Sequence, residues 1–298
     1  QVPWSQLTHL ALGGNLYVRH WRAVLRQCVK LQKGTFHLTG HFAYDVGEER
    51  EHVELRDLRE LTTFRCSPFV EPLVNISLPS LETLRIYTWQ SQPLVDFTNP
   101  SIFDSLTHLT LVSSGQVHGG YIISVVDRLP KLVELFFTMD HGLKEAYHFL
   151  TYGHDGMFKL RHLRTLGMHT WYSRETMDED ESFPFDALTS LVESRSQAVR
   201  ENWFSPSTTN LAPLERFVLR LGATDRQMVL SSKVKESLKP FGSYGVNLTI
   251  TVPWGSSRGD NPVSGRYYNE VWSRMLRRWP EEAGFDDMDR AGVCRFYP

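Results

Sequence analysis

A six-residue phrase with leucine, or an apolar stand-in, at positions one, four and six recurs along most of the chain and constrains its fold more than any other feature. It reads Leu7-x-x-Leu10-x-Leu12, Leu81-x-x-Leu84-x-Ile86, Leu106-x-x-Leu109-x-Leu111, Leu132-x-x-Leu135-x-Phe137, Leu163-x-x-Leu166-x-Met168 and Leu214-x-x-Phe217-x-Leu219. Looser copies, Leu31-x-x-Gly34-x-Phe36 and Leu61-x-x-Phe64-x-Cys66, fit between them. Because side chains alternate along a strand, Leu109 and Leu111 face one way and His108 and Thr110 the other. Each phrase therefore marks one short strand.

The leading leucines Leu81, Leu106 and Leu132 stand about 25 and 26 residues apart, inside the 20–29 residue period of leucine-rich repeats. One strand and crossover of that size cannot bury its own apolar edge, whereas stacked units share a continuous core. The stretches between phrases carry helical spacing: Val18, Trp21, Leu25 and Cys28; Ile122, Val125, Val126 and Leu129; and Leu188, Leu191, Val192 and Val199 after the candidate cap Asp186. The fold class is thus α/β, a leucine-rich-repeat solenoid with irregular repeats: a curved, right-handed coil with about eight or nine parallel inner strands and outer helices. A doubly wound domain also alternates strands and helices, but no Gly-rich phosphate fingerprint follows any strand here.

The repeat domain is expected over 1–252, ending in a helix with Leu230, Val234 and Leu238 in register and a strand Leu248-x-Ile250-x-Val252. Residues 253–298 follow as a Gly/Ser/Asp/Asn loop and an amphipathic helix bearing Val271, Trp272, Met275, Leu276 and Trp279, which caps the open end. An acidic run, Asp178 to Glu181, reads as a solvated loop.

With 41% apolar and 22% charged residues, a core is affordable along all 298 residues. A formal charge of −2 gives no reason to expect nucleic acid or an anionic membrane as partner, and no run of about 18 apolar residues spans a bilayer. Cys28, Cys66 and Cys294 are too few and too scattered for a disulfide framework, which points to a reducing, intracellular compartment, cytoplasmic or nuclear. The first residue, Gln1, suggests a piece of a longer product.

Chemistry-bearing patterns fail on order or context. Gly255-Ser256-Ser257-Arg258-Gly259 matches a nucleophile elbow, yet the last histidine is His169, so no base follows Ser257 in the required order. His37 and His41 have helical metal-pair spacing, but Phe36-His37-Leu38 reads as a strand. His141, His148 and His154 with Asp140 or Asp155 surround an outer helix from Leu143 to Leu150, where surface histidines are ordinary. No catalytic residue, metal or cofactor is expected. An enzyme using this histidine-rich region is the rival reading.

Val2-Pro3-Trp4-Ser5-Gln6-Leu7-Thr8-His9-Leu10, Val24-Leu25-Arg26-Gln27-Cys28, Leu78-Pro79-Ser80-Leu81-Glu82-Thr83-Leu84, Leu129-Pro130-Lys131-Leu132 and the run from Ala187 to Arg195 are structural phrases covering most of residues 1 to 220. In these the chain resembles the repeat region of fungal, especially basidiomycete, F-box/leucine-rich-repeat proteins. The resemblance implies a ubiquitin ligase substrate receptor, whose F-box binds a Skp-type adaptor while the repeats hold a protein substrate on the concave face. The F-box is not visible in this chain. Only Asn15 supplies the asparagine or cysteine of the ninth repeat position, so no regular asparagine ladder is expected. A general leucine-rich scaffold with no ubiquitin link shares every one of these features.

On the inner face, the phrases align Arg65, Arg85, Thr110 and Phe136 in one row and Thr63, Thr83, His108 and Glu134 in the next. Arginines beside an aromatic make an anchor cluster of the kind that dominates interfaces. Arg65, Arg85, His108, Thr110, Glu134 and Phe136 are the candidate partner-binding residues.

Overall fold

A computed structural model of the chain describes residues 3–39, 52–65, 73, 75–88, 104–113, 117–139, 141–151, 160–170, 183–197, 212–221 and 225–251. Val199, the acidic run, the Ser257 motif and everything expected of 253–298 lie outside the described residues.

The strands are β1 (His9–Tyr17), β2 (Lys33–Thr39), β3 (Val53–Glu54), β4 (Glu60–Arg65), β5 (Ile76–Ser77), β6 (Thr83–Thr88), β7 (His108–Ser113), β8 (Glu134–Thr138), β9 (Thr165–Thr170), β10 (Arg216–Leu221) and β11 (Asn247–Thr251). Nine of them form one sheet in the order β1-β2-β4-β6-β7-β8-β9-β10-β11, and every neighbouring pair is parallel. Each strand of this sheet therefore pairs with the sheet strand before it in the chain, an order compatible with an α/β solenoid.

Parallel neighbours need a crossover, and the crossovers form a second layer. They hold α1 (Val18–Gln27), α2 (Gly119–Val126), α3 (Leu143–Leu150), α4 (Phe185–Gln197) and α5 (Asp225–Leu238). β3 and β5, in the crossovers on either side of β4, pair with each other as a separate two-stranded sheet. The expected helix from Leu143 to Leu150 forms with those bounds. Asp186 lies within the first turn of α4 rather than capping it. Phe183, just ahead of that helix, is buried against Phe185 and Tyr147 and fixes the direction in which the chain enters.

Register explains the leucines. Position four runs across the sheet as Leu10, Gly34, Leu61, Leu84, Leu109, Leu135, Leu166, Phe217 and Leu248, each the partner of the next. Leu84, Leu109, Leu135 and Leu166 are fully buried in one cluster with Trp21, Ile122, Ala146, Leu191 and Val234 from the helices. The hydrophobic effect acts on the row as a whole, because each leucine is the register partner of the next and all are buried in the same cluster.

The register corrects one phrase. Leu61 pairs with Leu84 and so holds position four, not one; its unit is Leu58-x-x-Leu61-x-Thr63. Leu58 is fully buried and Thr63 is 1% exposed. A threonine at position six had disguised this copy, and Leu61-x-x-Phe64-x-Cys66 imitated it three residues later.

Several units turn into their strands in the same way. The N–H of Leu31 donates to Cys28 O, that of Leu81 to Leu78 O, that of Leu132 to Leu129 O and that of Leu163 to Leu160 O, at 3.0, 3.2, 3.3 and 3.1 Å. The carbonyl of position two then accepts two N–H groups of the next unit. Gln32 and Lys33 donate to Thr8 O, Arg59 and Glu60 to Gln32 O, Glu82 and Thr83 to Arg59 O, and the pattern continues to Glu215 and Arg216 on Arg164 O. Backbone groups thus satisfy one another along this edge of the sheet, joined by side chains such as Thr107 Oγ1 on Glu82 O.

Candidate recognition face

The face of the sheet turned away from the helices is built from positions three, five and seven. Position three carries His9, Lys33, Glu60, Thr83, His108, Glu134, Thr165, Arg216 and Asn247 as successive partners. Position five carries Ala11, Thr35, Thr62, Arg85, Thr110, Phe136, Gly167, Val218 and Thr249.

Five of the six expected residues stand together. Arg85, Thr110 and Phe136 are consecutive in one row, with His108 and Glu134 beside them. Arg65 does not join them, because the partner of Arg85 on β4 is Thr62. Arg65 itself pairs with Leu38 and Thr88. Likewise Glu60, not Thr63, precedes Thr83 in the second row. Both corrections follow from the three-residue offset at Leu61.

The expected row is also less exposed than the alternation implied. Thr110 is 6% and Phe136 4% exposed, while Arg85, His108 and Glu134 are half-buried. Phe136 packs with Val218 as a small second cluster across Gly167, where a Cβ would stand 2.0 Å from the Phe136 ring. Val112, Thr138 and His169 on the same face are buried as well. From β7 to β9 positions five and seven of this face are therefore buried, while position three, with His108 and Glu134, stays half-exposed.

Toward β2 the face is more open and more polar. The Glu60 carboxylate lies 3.1 Å from Lys33 Nζ and 3.8 Å from Arg85 Nη1, so one acid bridges two bases on neighbouring strands. Side-chain exposures of 40%, 39% and 21% for Lys33, Glu60 and Arg85 keep the group in water's screening, and its value lies in orienting Arg85 more than in stability. Further along, Thr107 Oγ1 donates to Glu82 O and meets His108 Nδ1 at 2.8 Å.

Position seven adds a feature the phrases did not reveal. His37, Phe64 and Tyr87 are successive partners, with ring centroids 6.4 Å apart for the first pair and 4.9 Å for the second, where the rings are stacked within 12°. Burial pushes the His37 imidazole below its ordinary value and the Tyr87 phenol well above its own, so both favour the neutral form. Its signal was present in the sequence only once β4 is placed correctly.

No family model, curated protein or solved structure matches the chain.

Among the described residues, no group of three or more His, Cys, Asp or Glu could hold a metal ion. His37 lies on β2, as its sequence context implied, and His141 and His148 flank or lie on α3. The backbones of His118 and His141 meet in a parallel bridge, but His118 Nδ1 already accepts from Gly120 N–H at the start of α2. No described helix is long and apolar enough to cross a membrane.

Proposed function

We propose that the chain is a non-catalytic protein-recognition module of the leucine-rich-repeat type, the substrate-holding part of an F-box-type ubiquitin ligase receptor. The single observation that supports this reading most is the pairing of nine parallel strands in chain order, with the copies of the leucine phrase aligned at one register. Such an array displays rows of side chains whose spacing is set by the backbone, which suits an extended protein partner. Its mechanism is positioning: a captured partner experiences a raised effective concentration of the transferring machinery, with no chemistry by this chain.

The partner site on this reading is the open part of the face, with Arg85 oriented by Glu60, the polar pair His108 and Glu134 beside it, and His37 and Phe64 at its margin. Thr110 and Phe136 continue the row from Arg85 but are buried, so they border the site more than they line it.

A pull-down with the full-length gene product, scored for the Skp-type adaptor and for a captured protein, tests the proposal. Both are expected. Capture without the adaptor would replace the ligase role by a general scaffold. Replacing Arg85 and Glu134 together by Ala is expected to cut capture by tenfold or more with the denaturation midpoint unchanged. Capture at wild-type affinity would move the site off the sheet.

A further inference from the structure

The open part of the recognition face has a floor of small residues. Position five is Ala11 on β1, Thr35 on β2 and Thr62 on β4 before it reaches Arg85 on β6. Thr35 and Thr62 are 9% and 4% exposed, and their hydroxyls have no hydrogen-bond partner among the described residues. Neither hydroxyl is sealed from solvent, in contrast to that of Thr63 on the core side of β4. Neighbouring strands stand about 4.8 Å apart, so the two hydroxyls and the Arg85 side chain form a line of donors across three strands.

Rows on either side make this line a shallow trough. Position three supplies Lys33 and Glu60, both half-exposed, and position seven supplies His37, Phe64 and Tyr87. One face of Phe64 is stacked on Tyr87 and the other is turned toward His37, so Phe64 shows the open side of the sheet its edge. An aromatic edge carries the positive rim of the ring quadrupole. A sugar or an aromatic side chain would need the face, which is already taken.

Polarity selects the occupant. Lys33 and Arg85 are set against one carboxylate, that of Glu60, which lies nearer to Lys33 at 3.1 Å than to Arg85 at 3.8 Å. Glu134, the next acid in these rows, is two strands beyond Arg85, on β8. Cations, hydroxyl donors and ring edge all favour an electronegative group beside Arg85 and Thr62. A monoanion fits better than a phosphate. The planar guanidinium pairs the two oxygens of a carboxylate, whereas a phosphate's second charge would stand against Glu60, whose own cation, Lys33, is already engaged.

We propose, resting on the reading of this face as the partner site, that the trough recognises a carboxylate side chain, an Asp or Glu within a segment of the captured protein. The carboxylate pairs with Arg85 and accepts from the Thr62 hydroxyl, while an adjoining backbone carbonyl of the segment accepts from Thr35.

The probe is a displayed library of random linear peptides, selected on the intact protein and read by sequencing. Selected peptides are expected to share an Asp or Glu, and replacing it by Asn or Gln in a synthetic copy to weaken binding about tenfold or more, read by fluorescence anisotropy. Arg85→Gln is expected to cause a loss of the same size, and Thr35→Val with Thr62→Val a loss of about threefold or more, all at an unchanged denaturation midpoint. Lys144→Gln, exposed on α3, should bind as the wild type does. Peptides with no shared acid whose binding still falls in Arg85→Gln would overturn the carboxylate and leave the partner site standing. Binding that no substitution on this face weakens, or no peptide selected above the bare support, would overturn both. A phosphoserine copy bound more tightly than the Glu copy would assign the trough to phosphate instead.

Discussion

Gly167 has no room for a side chain. Its position on β9 lies under the Phe136 ring, and a Cβ would meet ring atoms at 2.0 and 2.2 Å. Gly167→Ala is expected to destabilise the protein by forcing that ring aside, and Phe136→Ala to remove most of the penalty. A double-mutant cycle read by denaturant midpoints should give a coupling of about 0.5–3 kcal/mol; additive effects would mean that the ring does not press on this strand. His37 offers a pH handle. Burial lowers its folded-state pKa below the ordinary 6.5, so the unfolded chain binds the proton first as pH falls. Stability should be level above that value and decline as pH drops from it toward the lower folded-state pKa, below which the loss is complete. His37→Phe should flatten this part of a midpoint-against-pH curve, and an unchanged slope would assign the decline to other groups.

At the scale of elements, the buried guanidinium of Arg195 ties α4 to α3. Its Nε donates to Leu150 O at 2.7 Å and its Nη1 to Leu160 O at 3.3 Å. Leu150 is the last residue of α3, where carbonyls lack intrahelical partners and the helix dipole favours a cation. Arg195→Met fills the volume but deserts both carbonyls, at a cost of about 1–3 kcal/mol for each. Arg195→Lys should rescue little, since an ammonium lacks the fork that reaches two acceptors. Midpoints of both variants near the wild type would show that other groups satisfy these carbonyls. The helices themselves were legible from apolar residues three and four apart, α3 to the residue. β3 and β5 were not, because two residues carry no period. The offset at β4 arose for a related reason: Leu58, Leu61 and Phe64 satisfy the spacing in two frames, and only pairing with Leu84 chooses between them.

Across the described sheet, stability should be shared between neighbouring strands. Leu109 is fully buried between Leu84 and Leu135, so Leu109→Ala should cost roughly 2–5 kcal/mol. In a stacked array the loss should spread to β6 and β8, and amide exchange there should quicken more than at β1 or β11. A uniform increase would indicate one cooperative core instead.

The sequence by itself determined that strands recur, that their leucines share one face, and that the segments between several of them are helices, because periodicity and burial are properties a short window already contains. It also placed Arg85, Thr110 and Phe136 in one row, and His108 with Glu134 in the next, since those strands carry clean copies of the phrase. Tertiary structure alone decided that Arg65 stands outside this row, that Phe136 is covered instead of displayed, and that His37, Phe64 and Tyr87 line up. Each of these depends on which residue lies opposite which, and on what covers a face from elsewhere in the chain, contacts between residues far apart in sequence that no local pattern encodes.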